Sequence, residues 1–220
     1  MYFAVIGDMV ASKKLRRGQR AAAQETLADV LSNLNLCWEG SVAANFTITL
    51  GDEFQGLLHG DSDAVSAALL LLYGMRRYPV RLAVGFGDIH TQINPAAAIG
   101  ADGPAFHNAR RMIESMKARH GARLRFALPD ERVQRELNIV AALCDKLAEE
   151  WTDKQALAVH LMLMSRLRGE RLTQTGLAAL LNVSQPTVND QLSAAGFNEY
   201  CAAMLYIKER LAEYAKGSVI

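Results

Sequence analysis

Two aspartates stand at the ends of predicted strands, a placement suited to binding a metal ion. Asp8 closes the apolar segment 2–8, and Asp52 lies in a Gly-Asp-Glu turn between two short strand-like segments. Mg²⁺ prefers oxygen ligands and is usually held by one or two carboxylates together with phosphate oxygens. If the strands that carry them pair, both carboxylates reach the same end of the sheet. We therefore predict that Asp8 and Asp52 bind Mg²⁺.

Two lysines follow the first aspartate closely. Lys13 and Lys14 lie in the segment 10–14, and we expect them to neutralise the charge of a bound phosphate or nucleotide. With a nucleoside triphosphate, two metal ions can activate a hydroxyl and stabilise the leaving pyrophosphate. The simpler alternative is that the Gly-Asp pair only forms a turn, that the strand-end aspartate only caps a loop, and that the lysines are a solvated pair.

Hydrophobic periodicity predicts that strands and helices alternate over residues 1–128. The predicted elements are a strand at 2–8, a helix at 19–34, strands at 41–50 and 53–58, a helix at 61–77, a strand at 80–90, a helix at about 105–119 and a strand at 123–127. This order is typical of a ferredoxin-like or palm-type α+β sandwich, with the helices on one face of the sheet.

The chain beyond Pro129 shows only helical periodicity. Apolar residues recur every three or four positions from Val133 to Trp151, which predicts a linking helix over residues 129–150. We expect an all-α domain over residues 151–220. Its predicted helices span 153–167, 174–181, 186–194 and 198–214.

The segment 172–192 has the layout of a helix-turn-helix. Asn182 occupies the position of a left-handed turn residue, and Ser184 is placed to cap the second helix. Val188 and Leu192 are expected to face the core. The motif resembles the helix-turn-helix of many bacterial regulators and of sigma-factor-like domains.

The second helix of this motif carries polar residues suited to reading DNA. Gln185, Thr187, Asn189 and Gln191 are predicted to face outward, and Asn and Gln side chains pair with adenine. Residues 151–220 hold 7 Lys and Arg against 6 Asp and Glu, and the helix itself carries Asp190 without a basic residue. Phosphate contacts must therefore come from flanking basic residues or from a second copy. The alternative is a helical bundle that packs against another protein or against the first domain.

The bulk composition favours a cytoplasmic protein. The net charge of +1 argues against general attraction to nucleic acid or anionic lipid. Cys37, Cys144 and Cys201 are odd in number and lack CxxC spacing, which favours reduced thiols over disulfides or a zinc site. The longest apolar run, residues 64–73, is too short to span a bilayer, so we expect no membrane partner.

Three short segments resemble nucleotide cyclases. Residues 6–10, Ile-Gly-Asp-Met-Val, resemble the first metal strand of class III nucleotide cyclases, and Leu-Gly-Asp-Glu-Phe at 50–54 resembles the hairpin of those enzymes and of diguanylate cyclases. Residues 106–112 resemble the cyclase helix with an Asn and, four residues later, an Arg. The resemblance implies that Arg111 acts on the transition state, with His107 where the Asn is expected, and that the chain forms a homodimer. Ile48 replaces the lysine of purine-selecting cyclases, which argues against adenylate cyclase activity.

A longer resemblance covers nearly the whole chain. Residues 1–13, 45–57 and 99–110 are together similar to the bacterial SatD family, which implies no settled biochemical activity. Our leading hypothesis is a regulator whose cyclase-like domain senses a nucleotide with Mg²⁺ and whose helix-turn-helix binds DNA. The alternatives are an active nucleotide cyclase or nucleotidyltransferase and a scaffold that only binds other proteins.

Overall fold

The computed structural model describes residues 1–118 and 122–217, without the side chain of Lys13. Within these residues the chain forms five strands and eight α-helices, which confirms the α+β class. The elements are β1 Tyr2–Met9, α1 Arg17–Cys37, β2 Val42–Ile48, β3 Glu53–His59, α2 Ala64–Gly74, β4 Val80–Gly87, α3 Pro104–Lys117, β5 Leu124–Ala127, α4 Glu131–Glu149, α5 Asp153–Leu167, α6 Gln174–Leu181, α7 Gln185–Ala194 and α8 Phe197–Gly217. The predicted helix end at Arg119 lies outside the described residues.

The five strands form one mixed sheet in the order β2-β3-β1-β4-β5. The central strand β1 runs antiparallel to both β3 and β4, whereas β5 runs parallel to β4. The connection from β1 to β2 passes over β3, and the connection from β3 to β4 passes over β1. This topology places the last residues of β1 beside the turn between β2 and β3.

Helices cover both faces of the sheet, so the prediction of helices on one face is wrong. Phe3 and Val5 of β1 face a core built with α1, α2 and the C-terminal helices. Ala4 and Ile6 face the opposite side, where α3 packs. The physical reason is that successive residues of β1 point to opposite faces and nearly all of them are apolar, so both faces must be buried.

Helix α3 lies unusually close to β4 because glycine and alanine line their contact. A Cβ atom built on Gly85 would lie 2.3 Å from the carbonyl oxygen of Ala105 and 2.5 Å from the amide nitrogen of Ala109. Such distances are far inside van der Waals contact. Glycine at residue 85 therefore sets the position of α3, and with it the position of every side chain that the helix carries.

At each edge of the sheet, an asparagine side chain forms two hydrogen bonds with the backbone of the edge strand. On β2, the Phe46 amide donates to Asn35 Oδ1 at 2.8 Å, and Asn35 Nδ2 donates to the Phe46 carbonyl oxygen at 3.0 Å. On β5, Asn138 makes the same pair of bonds with Phe126, at 2.7 and 2.8 Å. Unpaired strand edges are sites of intermolecular pairing, so these bonds satisfy the backbone and protect it.

The helices α5 to α8 extend the core instead of forming a detached unit. Buried residues such as Val159, Leu192 and Met204 belong to the same apolar cluster as Phe3 and Phe86 of the sheet. The division into residues 1–128, 129–150 and 151–220 stays a prediction. Across the described part of the chain, every helix is too short or too polar to cross a bilayer.

Candidate functional site

The two predicted metal ligands lie on neighbouring backbone segments at one end of the sheet. Asp8 is the register partner of Glu53 on β3 and of Arg81 on β4. The Met9 amide donates to the carbonyl oxygen of Asp52 at 3.1 Å. Strand pairing therefore brings Asp8 and the Asp52 turn together, as the sequence predicted.

Asp8 is a buried carboxylate with one unsatisfied oxygen. Its side chain faces Arg81, whose Nε lies 3.3 Å from Oδ1, but among the described residues this oxygen has no partner with hydrogen-bond geometry. Burial raises the pKa of Asp8, and the charges of Asp52 and Glu53 raise it further, whereas Arg81 and Lys117 lower it. An ionised Asp8 is thus costly here and gains from an additional cation.

Asp52 and Glu53 are held by different partners. The hydroxyl of Ser12 donates to Asp52 Oδ2. Glu53 accepts from two residues of α3, from Arg110 Nη1 at 3.1 Å and from Lys117 Nζ at 3.3 Å. Glu53 is therefore matched by two cations of α3, whereas Asp8 faces Arg81 and Asp52 accepts from a neutral hydroxyl, so Asp8 and Asp52 are the less fully compensated carboxylates.

The two residues assigned to catalysis by resemblance point to other partners. His107 Nε2 lies 2.8 Å from Asp102 Oδ1, and Arg111 Nη2 donates to Asn108 Oδ1 at 2.6 Å. Asn108 in turn donates to the carbonyl oxygen of Phe86 at 3.0 Å. Among the described contacts, none joins His107 or Arg111 to either aspartate.

Sequence reasoning missed the basic residues that do reach the acidic end of the sheet. They are Arg81, Arg110 and Lys117. The spacing of Arg110 and Lys117, two helical turns apart, is a usable signal that they share a helix face. Arg81 had no local signal, because its position opposite Asp8 depends on the pairing of β1 with β4.

The two predicted phosphate ligands follow β1 in a single turn of 3-10 helix over Ser12–Lys14. Lys14 is exposed, whereas the side chain of Lys13 lies outside the described residues. Ala11 precedes the turn with φ of 56°, in the left-handed region. Within the described ranges no three or more His, Cys, Asp or Glu side chains are grouped to hold a metal, so a metal here must complete its shell with water or ligand oxygens.

Helices α6 and α7 are joined by the tight turn that the sequence predicted. Asn182 adopts φ of 53° and ψ of 48°, and its amide donates to carbonyl oxygens of the last turn of α6. The Ser184 hydroxyl accepts from the Thr187 amide at 3.3 Å and caps α7. Val188 and Leu192 are buried, as expected.

The four predicted base-reading residues of α7 differ in exposure. Gln185 and Asn189 are exposed, and Gln185 Nε2 donates to Gln174 Oε1 at 2.8 Å. Thr187 is half-buried, with its hydroxyl 2.8 Å from that of Ser184. Gln191 is also half-buried, and its Oε1 is buried without a hydrogen-bond partner among the described residues. Gln185 and Asn189 are therefore the members of the set best placed to meet another molecule.

Comparison with known proteins identified one family. The model of the SatD family matches residues 2–210, which is nearly the whole chain. No curated protein and no solved structure matches the chain.

Proposed function

This chain belongs to the SatD family, and from that premise we propose that it is a regulatory protein that binds DNA through α6 and α7. The observation that carries the proposal is the two-sided character of α7. Its apolar side, with Val188 and Leu192, is buried against neighbouring helices, while Gln185 and Asn189 are exposed. A helix of this kind can enter the major groove and present amide side chains to base edges.

The basic residues around this motif are not equally available to phosphate. Lys208 is ion-paired with Asp63 at 2.8 Å, and Arg210 lies 3.5 Å from Glu136. Arg168 and Arg171 are exposed in the connection between α5 and α6. Because phosphate contacts supply most of the affinity, we propose that these two arginines provide them and that two copies bind together.

The test selects bound DNA fragments from the genome that encodes the chain and measures their affinity as a function of salt concentration. Replacing Gln185 and Asn189 together by alanine is expected to weaken binding to the selected DNA site by roughly tenfold or more and to relax the sequence preference of the protein. Arg168→Gln is expected to weaken binding to all sequences alike and to lower the salt slope by about 2, because each of the two copies loses one phosphate contact. Ser193→Ala, an exposed change on the same helix, is the matched control. If the chain binds no fragment in a salt-sensitive manner, the proposal is wrong.

A second proposal concerns the acidic end of the sheet, where we propose a site for Mg²⁺ with a nucleotide or phosphate ligand. The observation that favours it is the buried Asp8 Oδ1, which has no hydrogen-bond partner in the described part of the chain and lies beside the Asp52 turn. Two carboxylates form an oxygen-only donor set that fits Mg²⁺. Asp8 and Asp52 would hold the ion, Ser12 would orient Asp52, and Lys14 would contact phosphate. When bound, Mg²⁺ supplies the charge that neutralises phosphate oxygens.

Manganese provides a direct probe of this site. We expect Mn²⁺ to bind the purified chain, as measured by electron paramagnetic resonance. Asp8→Asn and Asp52→Asn are each expected to abolish this binding. Asp61→Asn, which changes an exposed aspartate in the loop after β3, is the control and is expected to leave binding unchanged. Equal Mn²⁺ binding by the wild-type chain and Asp52→Asn would contradict the proposal.

The same preparation separates sensing from turnover. Incubation with each nucleoside triphosphate and Mg²⁺ or Mn²⁺ releases pyrophosphate if the site is a cyclase or nucleotidyltransferase. If Arg111→Ala no longer releases pyrophosphate, the result supports the role on the transition state that the resemblance implies for Arg111. If Arg110→Ala no longer releases it, the result instead supports a catalytic role for Arg110, which contacts Glu53. Binding without release supports a sensor.

A further inference from the structure

A cavity of about 140 Å³ lies where the sheet half of the chain meets the helical half. Its walls come from α2, from Arg123 just before β5, and from α4, α5 and α8. It is separate from the acidic end of the sheet and from the outer face of α7. Apolar atoms dominate the lining, and a few charged groups converge on it, as is usual for small-molecule sites.

Two aromatic pairs, one stacked and one edge to face, form part of the wall. The rings of Tyr73 and His160 lie parallel with centroids 3.8 Å apart, and Trp151 meets Tyr200 edge to face at 4.6 Å. Burial lowers the pKa of His160 to about 4, and the charge of Arg168 acts in the same direction. His160 is therefore a neutral ring at neutral pH, so both pairs present uncharged aromatic surfaces.

Among the described residues, the charged groups of the cavity leave one cation without an ion-pair partner. Asp145 accepts from Arg125 Nη1 at 2.6 Å and from the Arg123 amide at 2.9 Å, so its charge is matched by Arg125. Glu149 pairs with Lys146 at 2.9 Å, and Arg76 pairs with Asp153 at 3.1 Å.

The Arg123 guanidinium is the remaining charge. Its Nε donates to the Val80 carbonyl oxygen at 2.8 Å, but no carboxylate of a described residue lies within ion-pair distance of it. Burial lowers the pKa of Arg123, which Asp145 only partly offsets. A half-buried guanidinium without a counter-ion favours an anion within reach of the cavity.

Size limits the ligand to about one ring. An apolar protein cavity of about 150 Å³ holds benzene, and this cavity is of similar volume. We propose that it binds a small monocyclic aromatic carboxylate, with the ring against the two aromatic pairs and the carboxylate on Arg123. Because α2 and α5 both line the cavity, the ligand would contact the sheet half and the helical half at once.

Benzoate is the probe, and benzamide is its uncharged counterpart of nearly the same shape. Trp38→Phe leaves Trp151 as the only tryptophan, so its fluorescence reports on the cavity of the full chain. We expect saturable benzoate binding with a Kd on the order of 1 mM or tighter and benzamide binding about tenfold weaker, because an ionised acceptor strengthens the bond to Arg123. Equal affinity for both compounds, or no saturation by benzoate, would overturn the proposal.

Two variants test the assigned residues. Arg123→Gln is expected to weaken benzoate binding about tenfold without changing benzamide binding. Ala156→Leu adds bulk to a buried part of the wall on α5 and is expected to abolish the binding of both compounds. Arg17→Gln, which changes an exposed arginine of α1 outside the cavity lining, is the control and should bind benzoate like the wild type. Unchanged benzoate binding in both variants would disprove the site. If Arg123→Gln does not fold, the comparison of benzoate with benzamide on the wild-type chain decides the matter.

Discussion

The side chains of Asp8 and Asp145 are both largely shielded from solvent and face arginines, yet their oxygens are used differently. Asp145 accepts hydrogen bonds from the Arg125 side chain and from the Arg123 backbone. Asp8 Oδ1 lies near Arg81 without hydrogen-bond geometry. Burial raises the pKa of both carboxyls. Asp8 Oδ1 is thus ion-paired with Arg81 but accepts no hydrogen bond from a described residue, and this is the reason for the proposal that Asp8 binds a ligand.

The difference predicts unequal costs for the same substitution. Asp145→Asn removes the counter-ion of the half-buried Arg125 and is expected to lower the free energy of unfolding by about 3–5 kcal/mol. Asp8→Asn removes a longer contact and is expected to cost less than about 2 kcal/mol. Urea unfolding of the two variants measures the difference. A larger loss for Asp8→Asn would show that Asp8 is mainly a structural residue.

His160 predicts a specific dependence of stability on pH. Its pKa of about 4 in the folded chain lies below the ordinary value of 6.5, so protons bind more tightly to the unfolded chain. The contribution of neutral His160 to the free energy of unfolding is therefore complete above about pH 6.5. It is lost as the pH falls towards 4, and the loss is at most about 3 kcal/mol. His160→Phe, which keeps a ring against Tyr73, should remove this loss.

Unfolding curves of the wild-type chain and His160→Phe between pH 7.5 and 4 check this expectation. Asp8 and Asp145, with raised pKa values, favour the folded chain as the pH falls, so they act in the opposite direction. The wild-type chain and His160→Phe both retain these two aspartates, so the difference between their curves of stability against pH reports on His160 alone. Parallel curves would show that His160 does not titrate as expected.

At the scale of elements, local sequence signals predicted the helices and strands well. Asn182 and Ser184 define the turn and cap before α7 through backbone and hydrogen-bond preferences that act within a few residues. The face of the sheet that α3 covers could not be predicted in this way. It depends on Gly85 meeting Ala105 and Ala109, a contact between separate elements.

The same limit explains which residues at the acidic end of the sheet could be predicted. Asp8 and Asp52 end or connect strands, so their positions followed from strand prediction. Arg110 was missed in favour of Arg111, although one residue on a helix rotates the side chain by roughly 100°. Arg110 contacts Glu53, whereas Arg111 contacts Asn108. That choice depends on how α3 is rotated against the sheet, which helical periodicity gives only approximately.

The asparagines that close the sheet edges predict a loss of both stability and solubility. Asn35→Ala and Asn138→Ala each remove two hydrogen bonds from a strand edge, and each is expected to cost about 2 kcal/mol. Thermal unfolding and light scattering of the two variants measure the effects. Asn33→Ala, an exposed change on α1, is the control.

Both edges keep further cover in these variants. On β2, the Asn45 amide donates to the Pro95 carbonyl oxygen and the Asn45 carbonyl oxygen accepts from the Ala98 amide, while beside β5 Gln134 accepts from the Leu128 amide and Asp145 from the Arg123 amide. We therefore expect Asn35→Ala and Asn138→Ala to aggregate at similar temperatures, both lower than that of Asn33→Ala. If neither variant scatters more light than Asn33→Ala, edge protection is not the role of these asparagines.

For the whole molecule, the outer face of α4 predicts self-association. Ile139, Leu143 and Leu147 lie one helical turn apart and are 58%, 65% and 39% exposed. Basic Arg132 precedes this apolar stripe, and acidic Glu150 follows it. When two copies of α4 are placed antiparallel with Ile139 opposite Leu143 of the second copy, Arg132 lies opposite Glu150 and Glu136 lies opposite Lys146. This charge pattern is complementary to itself, as a two-fold interface requires.

We therefore expect the chain to be a dimer through α4, which sedimentation over a range of concentrations measures. Leu143→Glu should yield monomers, because it places two carboxylates at the centre of the interface, while Leu36→Glu, at an exposed leucine of α1, should stay dimeric. Arg132→Glu should weaken the dimer, and adding Glu150→Lys should restore it, since the pair then exchanges charges across the interface. A monomeric wild-type chain, or a dimer that Leu143→Glu leaves intact, would contradict this interface, and a failed charge exchange would contradict its antiparallel register.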